Sequence, residues 1–202
     1  LIRSNNKISI VLDDENVIFL NNLGDLNALN LKNGNLKWQT PTRSSSFLEN
    51  TFDLIYSDLV LDQKTIYFSN NKNEFFSVNS KNGNVNWSQN INSINRVSII
   101  DKLIFVISSE GFLVIIEKNQ GNIIRSNNIF RNLKIKNIES NGFIIGKNHL
   151  YLSMIDGRIV KINIKDGKLE LLKKISRGKI SRPYFNKKNI FILSSNKIKK
   201  FN

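Results

Sequence analysis

Ala28-Leu29-Asn30-Leu31-Lys32-Asn33-Gly34-Asn35-Leu36-Lys37-Trp38 decides how the rest of the chain is read, because the stretch recurs. Ser77-Val78-Asn79-Ser80-Lys81-Asn82-Gly83-Asn84-Val85-Asn86-Trp87 repeats it 49 residues later. Worn copies follow at 115–125, with Gln120-Gly121 at the turn, and at 161–171, with Asp166-Gly167. Each copy describes a hairpin. Apolar residues alternate before the turn, as in a strand with one buried face. Asn-Gly or Asp-Gly then supplies the positive φ of a tight connection between antiparallel strands. Alternation resumes and ends on a large side chain, Trp in the two best copies. Short strands in a unit repeating every 38 to 49 residues mark a propeller or a solenoid, and the copies are read as propeller blades.

Outward from each hairpin, a near-continuous apolar run precedes it: Val17-Ile18-Phe19-Leu20, Thr65-Ile66-Tyr67-Phe68, Leu103-Ile104-Phe105-Val106, His149-Leu150-Tyr151-Leu152 and Ile190-Phe191-Ile192-Leu193. Strands buried on both faces read this way, and blades packed face to face bury both faces of their middle strands. The spacing predicts an all-β fold, a β-propeller of four-stranded antiparallel blades. Residues 1–202 form a single partial propeller domain with blades at 8–39, 52–89, 94–127 and 139–173 and an incomplete one at 180–202. No segment holds a 3.6-residue apolar period over eleven or more residues, so almost no helix is expected.

Composition narrows the classes. The 202 residues include no Cys, which removes disulfides and thiolate metal sites. No apolar run reaches the roughly eighteen residues of a membrane helix, and no charged-then-apolar leader opens the chain. Residue 1 falls inside repeat-like sequence, so an upstream part is expected. The net charge of +14 suits a nucleic acid, an anionic surface or an acidic partner. Lys and Asn also occur together throughout, as a genome rich in A and T would produce without a selected partner, and no basic stripe interleaved with aromatics points to nucleic acid.

The frame Ala-x-Asn-x-x-Asn-Gly-x-x-x-Trp at 28–38 resembles the tryptophan-docking repeat of quinoprotein-like (PQQ-like) propellers, with Asn30 and Asn33 where the usual form has Asp and Thr. Within that group the chain looks most like the C-terminal part of the BamB-like lipoproteins of outer-membrane assembly. The resemblance implies an eight-bladed, non-enzymatic scaffold without a cofactor. It would be held at the periplasmic face of the outer membrane by an upstream lipid anchor, and would bind a POTRA domain of BamA. It also implies contact residues. Ile2 and Arg3 fall where the family has the end of a Leu-x-Leu-Arg loop. Asp53 falls on the first residue of an Asp-x-Asp pair whose second position is Ile55 here. The other reading is a frayed terminus for Arg3 and a turn for Asp53.

Other chemistry is thinly supplied. His149 is the one histidine and opens an apolar strand, a structural or solvated position. Asp13-Asp14-Glu15 reads as a turn, and no base stands by Ser44-Ser45-Ser46 or Ser194-Ser195 to activate them. Gly34, Trp38, Gly83, Trp87, Gly121 and Gly167 are the structural positions of the repeat, the tryptophans packing between blades. The competing function is a fragment of a PQQ-dependent dehydrogenase, which needs carboxylates, amides and Arg converging near the axis; the sequence offers no obvious set. An open arc exposes the faces of its end blades, so the isolated chain is expected to dimerise, with residues 1–4 of one copy supplying the missing outer strand of the other.

Overall fold

A computed structural model describes residues 8–42, 54–131, 133, 139–146, 148–187 and 189–201. They form five antiparallel sheets in chain order, four of four strands and one of three. The first holds β1 (Ile10–Leu12), β2 (Asn16–Leu20), β3 (Asp25–Asn30) and β4 (Leu36–Pro41). The second holds β5 (Val60–Asp62), β6 (Thr65–Ser69), β7 (Phe75–Asn79) and β8 (Val85–Gln89). The third holds β9 (Ser98–Ile100), β10 (Leu103–Ile107), β11 (Phe112–Glu117) and β12 (Ile123–Asn128). The fourth holds β13 (Ser140–Gly146), β14 (His149–Met154), β15 (Arg158–Asn163) and β16 (Leu169–Lys174), and the fifth β17 (Tyr184–Asn186), β18 (Asn189–Ser194) and β19 (Lys197–Phe201). Within each sheet consecutive strands are neighbours, the meander of a propeller blade. The first strands of neighbouring blades approach one another, β1 with β5, β9 with β13 and β13 with β17, which places them at the hub.

Burial explains the arrangement. Four apolar clusters lie between consecutive blades. Ile18, Leu26 and Ala28 of the first blade meet Ile66, Phe68 and Val78 of the second; Tyr67 and Phe75 then meet Ile104, Val106 and Ile116 of the third. The second and third strands of the three middle blades therefore contribute to two clusters, one per face, as their unbroken apolar runs require. Fourth strands lie at the rim and are largely exposed.

The repeated hairpin differs from the two-residue turn expected of Asn-Gly. Gly34 N–H bonds Asn30 O (2.9 Å) and Asn30 N–H bonds Asn35 O (2.8 Å), closing a four-residue loop; Gly83, Gly121 and Gly167 sit in the same closure. Only the glycine has positive φ, between 70° and 77° in the four copies. The residue opening each loop holds it: Asn30, Asn79 and Asn163 accept a main-chain N–H two residues on, and Glu117 accepts two. A bulge follows in every copy. Ala28 pairs with Trp38 but Leu29 pairs with Leu36, and the same shift recurs at Ser77/Val78, Ile115/Ile116 and Lys161/Ile162. One extra residue twists the outer strand and re-aims the side chain that follows.

Candidate protein-docking face

The bulge aims a joint. Trp38 packs against the first inter-blade cluster, and its indole Nε1 donates to Ser80 O on the next blade (3.1 Å). Trp87 repeats this with Lys118 O (3.1 Å). Two residues beyond each Trp, Thr40 Oγ1 donates to Gly83 O (2.6 Å) and Gln89 Nε2 to Gly121 O (2.7 Å). The loop glycine is needed twice over. A Cβ on Gly83 would stand 2.5 Å from Thr40 Oγ1 and 2.6 Å from the Trp38 ring, and one on Gly121 would stand 2.5 Å from Trp87. In the third copy Arg125 takes the Trp position and donates to Ile164 O (3.4 Å) and Lys165 O, beside Gly167. A guanidinium replaces an indole in the same task, a substitution that the worn spelling of the copy conceals. Lys118 adds an ion pair to Asp62 of the blade before it (2.7 Å).

At the opposite end of the blades, the turns joining second to third strands lie beside the connections that lead into each first strand. Asn71 N–H bonds Ile55 O (3.0 Å), Ser109 N–H bonds Asn92 O (2.8 Å) and Ile155 N–H bonds Glu139 O (3.1 Å). Side chains stiffen these turns: Asn21 Oδ1 accepts from the N–H of Leu23 and of Asp25, and Asn70 Oδ1 from Lys72 and Glu74. This rigid end displays apolar side chains at its tips. Leu23 is 55 % exposed, Ile55 44 %, Ile94 45 % and Ile155 37 %. Apolar side chains held in water by a stiff backbone, with polar neighbours such as Asn92 and Glu110, have the makeup of a protein contact.

The residues singled out from the sequence fall in different places. Ile2, Arg3 and Asp53 lie outside the described residues, as do residues 1–4 as a donated strand. Ile55, at the second position of the implied Asp-x-Asp pair, is one of these exposed apolar side chains. His149 joins a polar cluster across three strands: Glu170 accepts from its Nε2 (3.1 Å), from Lys161 Nζ (2.8 Å) and from Asn163 Nδ2 (3.3 Å). The Lys161 hydrogen bond, followed by those of Asn163 and His149, holds the Glu170 carboxyl below the usual carboxylate range. No group of three or more His, Cys, Asp or Glu placed to hold a metal occurs among the described residues.

Near the hub, Asp58, Asn95, Arg96, Asn141 and Arg182 line one cavity of about 500 Å³. The signal that could have found them is the repeated position ahead of each first strand. The basic excess is also uneven, since residues 158–202 hold fourteen Lys and Arg against two Asp and Glu, leaving sixteen against fourteen in residues 1–157.

Five meandering sheets, three of their junctions locked by a side chain over the next blade's glycine loop, define a β-propeller of the quinoprotein-like repeat class. Within that class the chain belongs to the family of outer membrane protein assembly factor BamB, whose model matches residues 2–127. The fold is similar to that of BamB from Moraxella catarrhalis, with TM-score 0.75 and 13% identity over 98% of this chain. This chain spans 58% of the length of that one. The computationally designed Ika8 protein (TM-score 0.68, 10% identity, 96% of this chain and 58% of that one) has a similar fold. So does the Cps50 (Swd1) β-propeller domain of Myceliophteria thermophila (TM-score 0.68, 10% identity, 99% and 66%). No curated protein matched by sequence.

Proposed function

We propose that the chain is the C-terminal part of a non-enzymatic, periplasmic scaffold of outer-membrane barrel assembly, anchored to the outer membrane by a lipid upstream of residue 1. Its rigid face of turns and connections holds a POTRA domain of a BamA-like partner. The observation that carries this reading is the row of exposed apolar tips, Leu23, Ile55, Ile94 and Ile155, on a backbone fixed by hydrogen bonds. Membership of the BamB family supplies the partner class, and the family resemblance adds Ile2, Arg3 and Asp53 as implied contacts.

Fluorescence anisotropy of a labelled BamA POTRA fragment tests it. Ile55→Lys and Ile94→Lys should each weaken binding by about tenfold or more, because a buried hot-spot side chain typically carries at least ~1.4 kcal/mol. Arg3→Glu and Asp53→Lys should weaken it too, all four leaving the circular dichroism unchanged. Equal affinity in every variant, or no binding by the parent chain, overturns the proposal.

A further inference from the structure

The hub holds two arginines for which docking at the tips gives no role. Asp58, Arg96, Gly142 and Arg182 occupy one repeated position, two residues ahead of Val60, Ser98, Ile144 and Tyr184. Those four pair with the aromatic of each second strand, Tyr67, Phe105, Tyr151 and Phe191. The blade between the two arginines has glycine there, at φ 124°. A Cβ on Gly142 would lie 3.0 Å from Arg182 Cβ and 3.1 Å from its Cγ. Arg182 thus lies across the fourth blade where a side chain would otherwise stand, pinned by its Nε donating to Phe143 O (2.7 Å).

That path brings Arg182 into the cavity that Arg96 lines from the third blade, and both also line an adjoining cavity of about 390 Å³. The walls are firm, for Asn95 Nδ2 bonds Ser140 Oγ (2.7 Å) and Asn141 Nδ2 bonds Ile180 O (2.5 Å). Neither arginine takes part in an ion pair with a described carboxylate. Burial first, and then repulsion from Arg96, pull the Arg182 guanidinium below its ordinary range, while Tyr184 and Asp58 act against this. Even with Asp58 counted in full, the recess keeps an excess positive charge. Like charges converging on a half-buried recess repel one another unless an anion lies between them. A planar guanidinium gives paired N–H donors suited to phosphate or carboxylate oxygens.

We propose that this recess, between Arg96 and Arg182 and over Gly142, binds a small multivalent oxyanion of the phosphate or dicarboxylate class. Thermal melts and calorimetric titration of the 202-residue chain, at fixed ionic strength, test it with inorganic phosphate and with succinate. At least one should bind saturably, and the tighter of the two names the class. Arg96→Gln removes one exposed cation and should weaken that binding by about tenfold. Without anion, in dilute buffer, Arg96→Gln should melt above the parent because the repulsion is gone; saturating anion should reverse the order. Arg182→Gln also loses the Phe143 bond, so Arg96→Gln carries the test. Lys199→Gln, a cation of the fifth blade outside the recess, should bind as the parent does. Absence of saturable binding by either anion, or equal weakening in Arg96→Gln and Lys199→Gln, overturns the proposal.

Discussion

Gly34 and Gly83 have the same φ within a few degrees, 70° and 76°, yet their surroundings differ completely. A Cβ on Gly34 meets nothing within 4 Å, whereas one on Gly83 enters Trp38 and Thr40. The pair therefore separates two costs that a glycine can avoid. Gly34→Ala meets only the strain of a left-handed conformation, about 1 kcal/mol. Gly83→Ala meets that strain and must also displace the indole and break the Thr40 bond, for roughly 2–4 kcal/mol in all. Urea denaturation measures both. Equal losses would mean that the Trp38 joint is not closed in solution. Trp38 itself shows why Arg125 can replace it: what the joint needs at that position is an N–H aimed at a carbonyl, together with enough side chain to cover a glycine loop.

Among elements, the strands were largely readable from the chain and the joints only in part. The near-continuous apolar runs fall within β2, β6, β10, β14 and β18, and the repeated frame spans the loop from third to fourth strand in the first four blades, because both are local properties. The bulge is a backbone event and left no distinctive residue, since Lys37, Asn86, Ile124 and Glu170 occupy it in turn. Arg96 and Arg182 are 86 residues apart in sequence, and only the closing of blades around a hub brings them together. The cluster on the fourth blade gives a prediction at this scale. Because the Glu170 carboxyl titrates lower in the folded chain than in the unfolded one, its contribution is present above the unfolded carboxylate range and is lost as pH falls through the folded value. Glu170→Gln should therefore flatten the acid limb of melting temperature against pH, between about pH 5 and pH 3. Superimposable acid limbs would mean that Lys161, Asn163 and His149 do not hold the carboxylate.

For the whole molecule, the two end blades matter most. Ile10 and Leu12 of the first blade are 56 % and 60 % exposed, and Leu193 and Ile198 of the fifth 49 % and 70 %. Leu193 and Ile198 are cross-strand partners, so they form one apolar patch on a blade face. Faces of this kind are covered by a neighbour inside the arc, as the four buried clusters show. The isolated chain should therefore self-associate at micromolar concentration, and Ile198→Lys with Leu12→Lys should reduce it. Light scattering decides: a monodisperse 23.2 kDa species from the parent chain would show that the end faces tolerate water.

The joint between blades has a direction. At the three joints from the first blade to the fourth, the end of one blade's fourth strand reaches forward to the glycine loop of the next, so the second and third units each carry one plug and one socket. A gene segment encoding one such unit could be copied or removed without redesigning its neighbours, because the new unit brings both fittings with it. Lengthening by duplication is then the easy path of change for such a chain, and uneven wear among the copies, indole in two and guanidinium in a third, is the trace that it would leave.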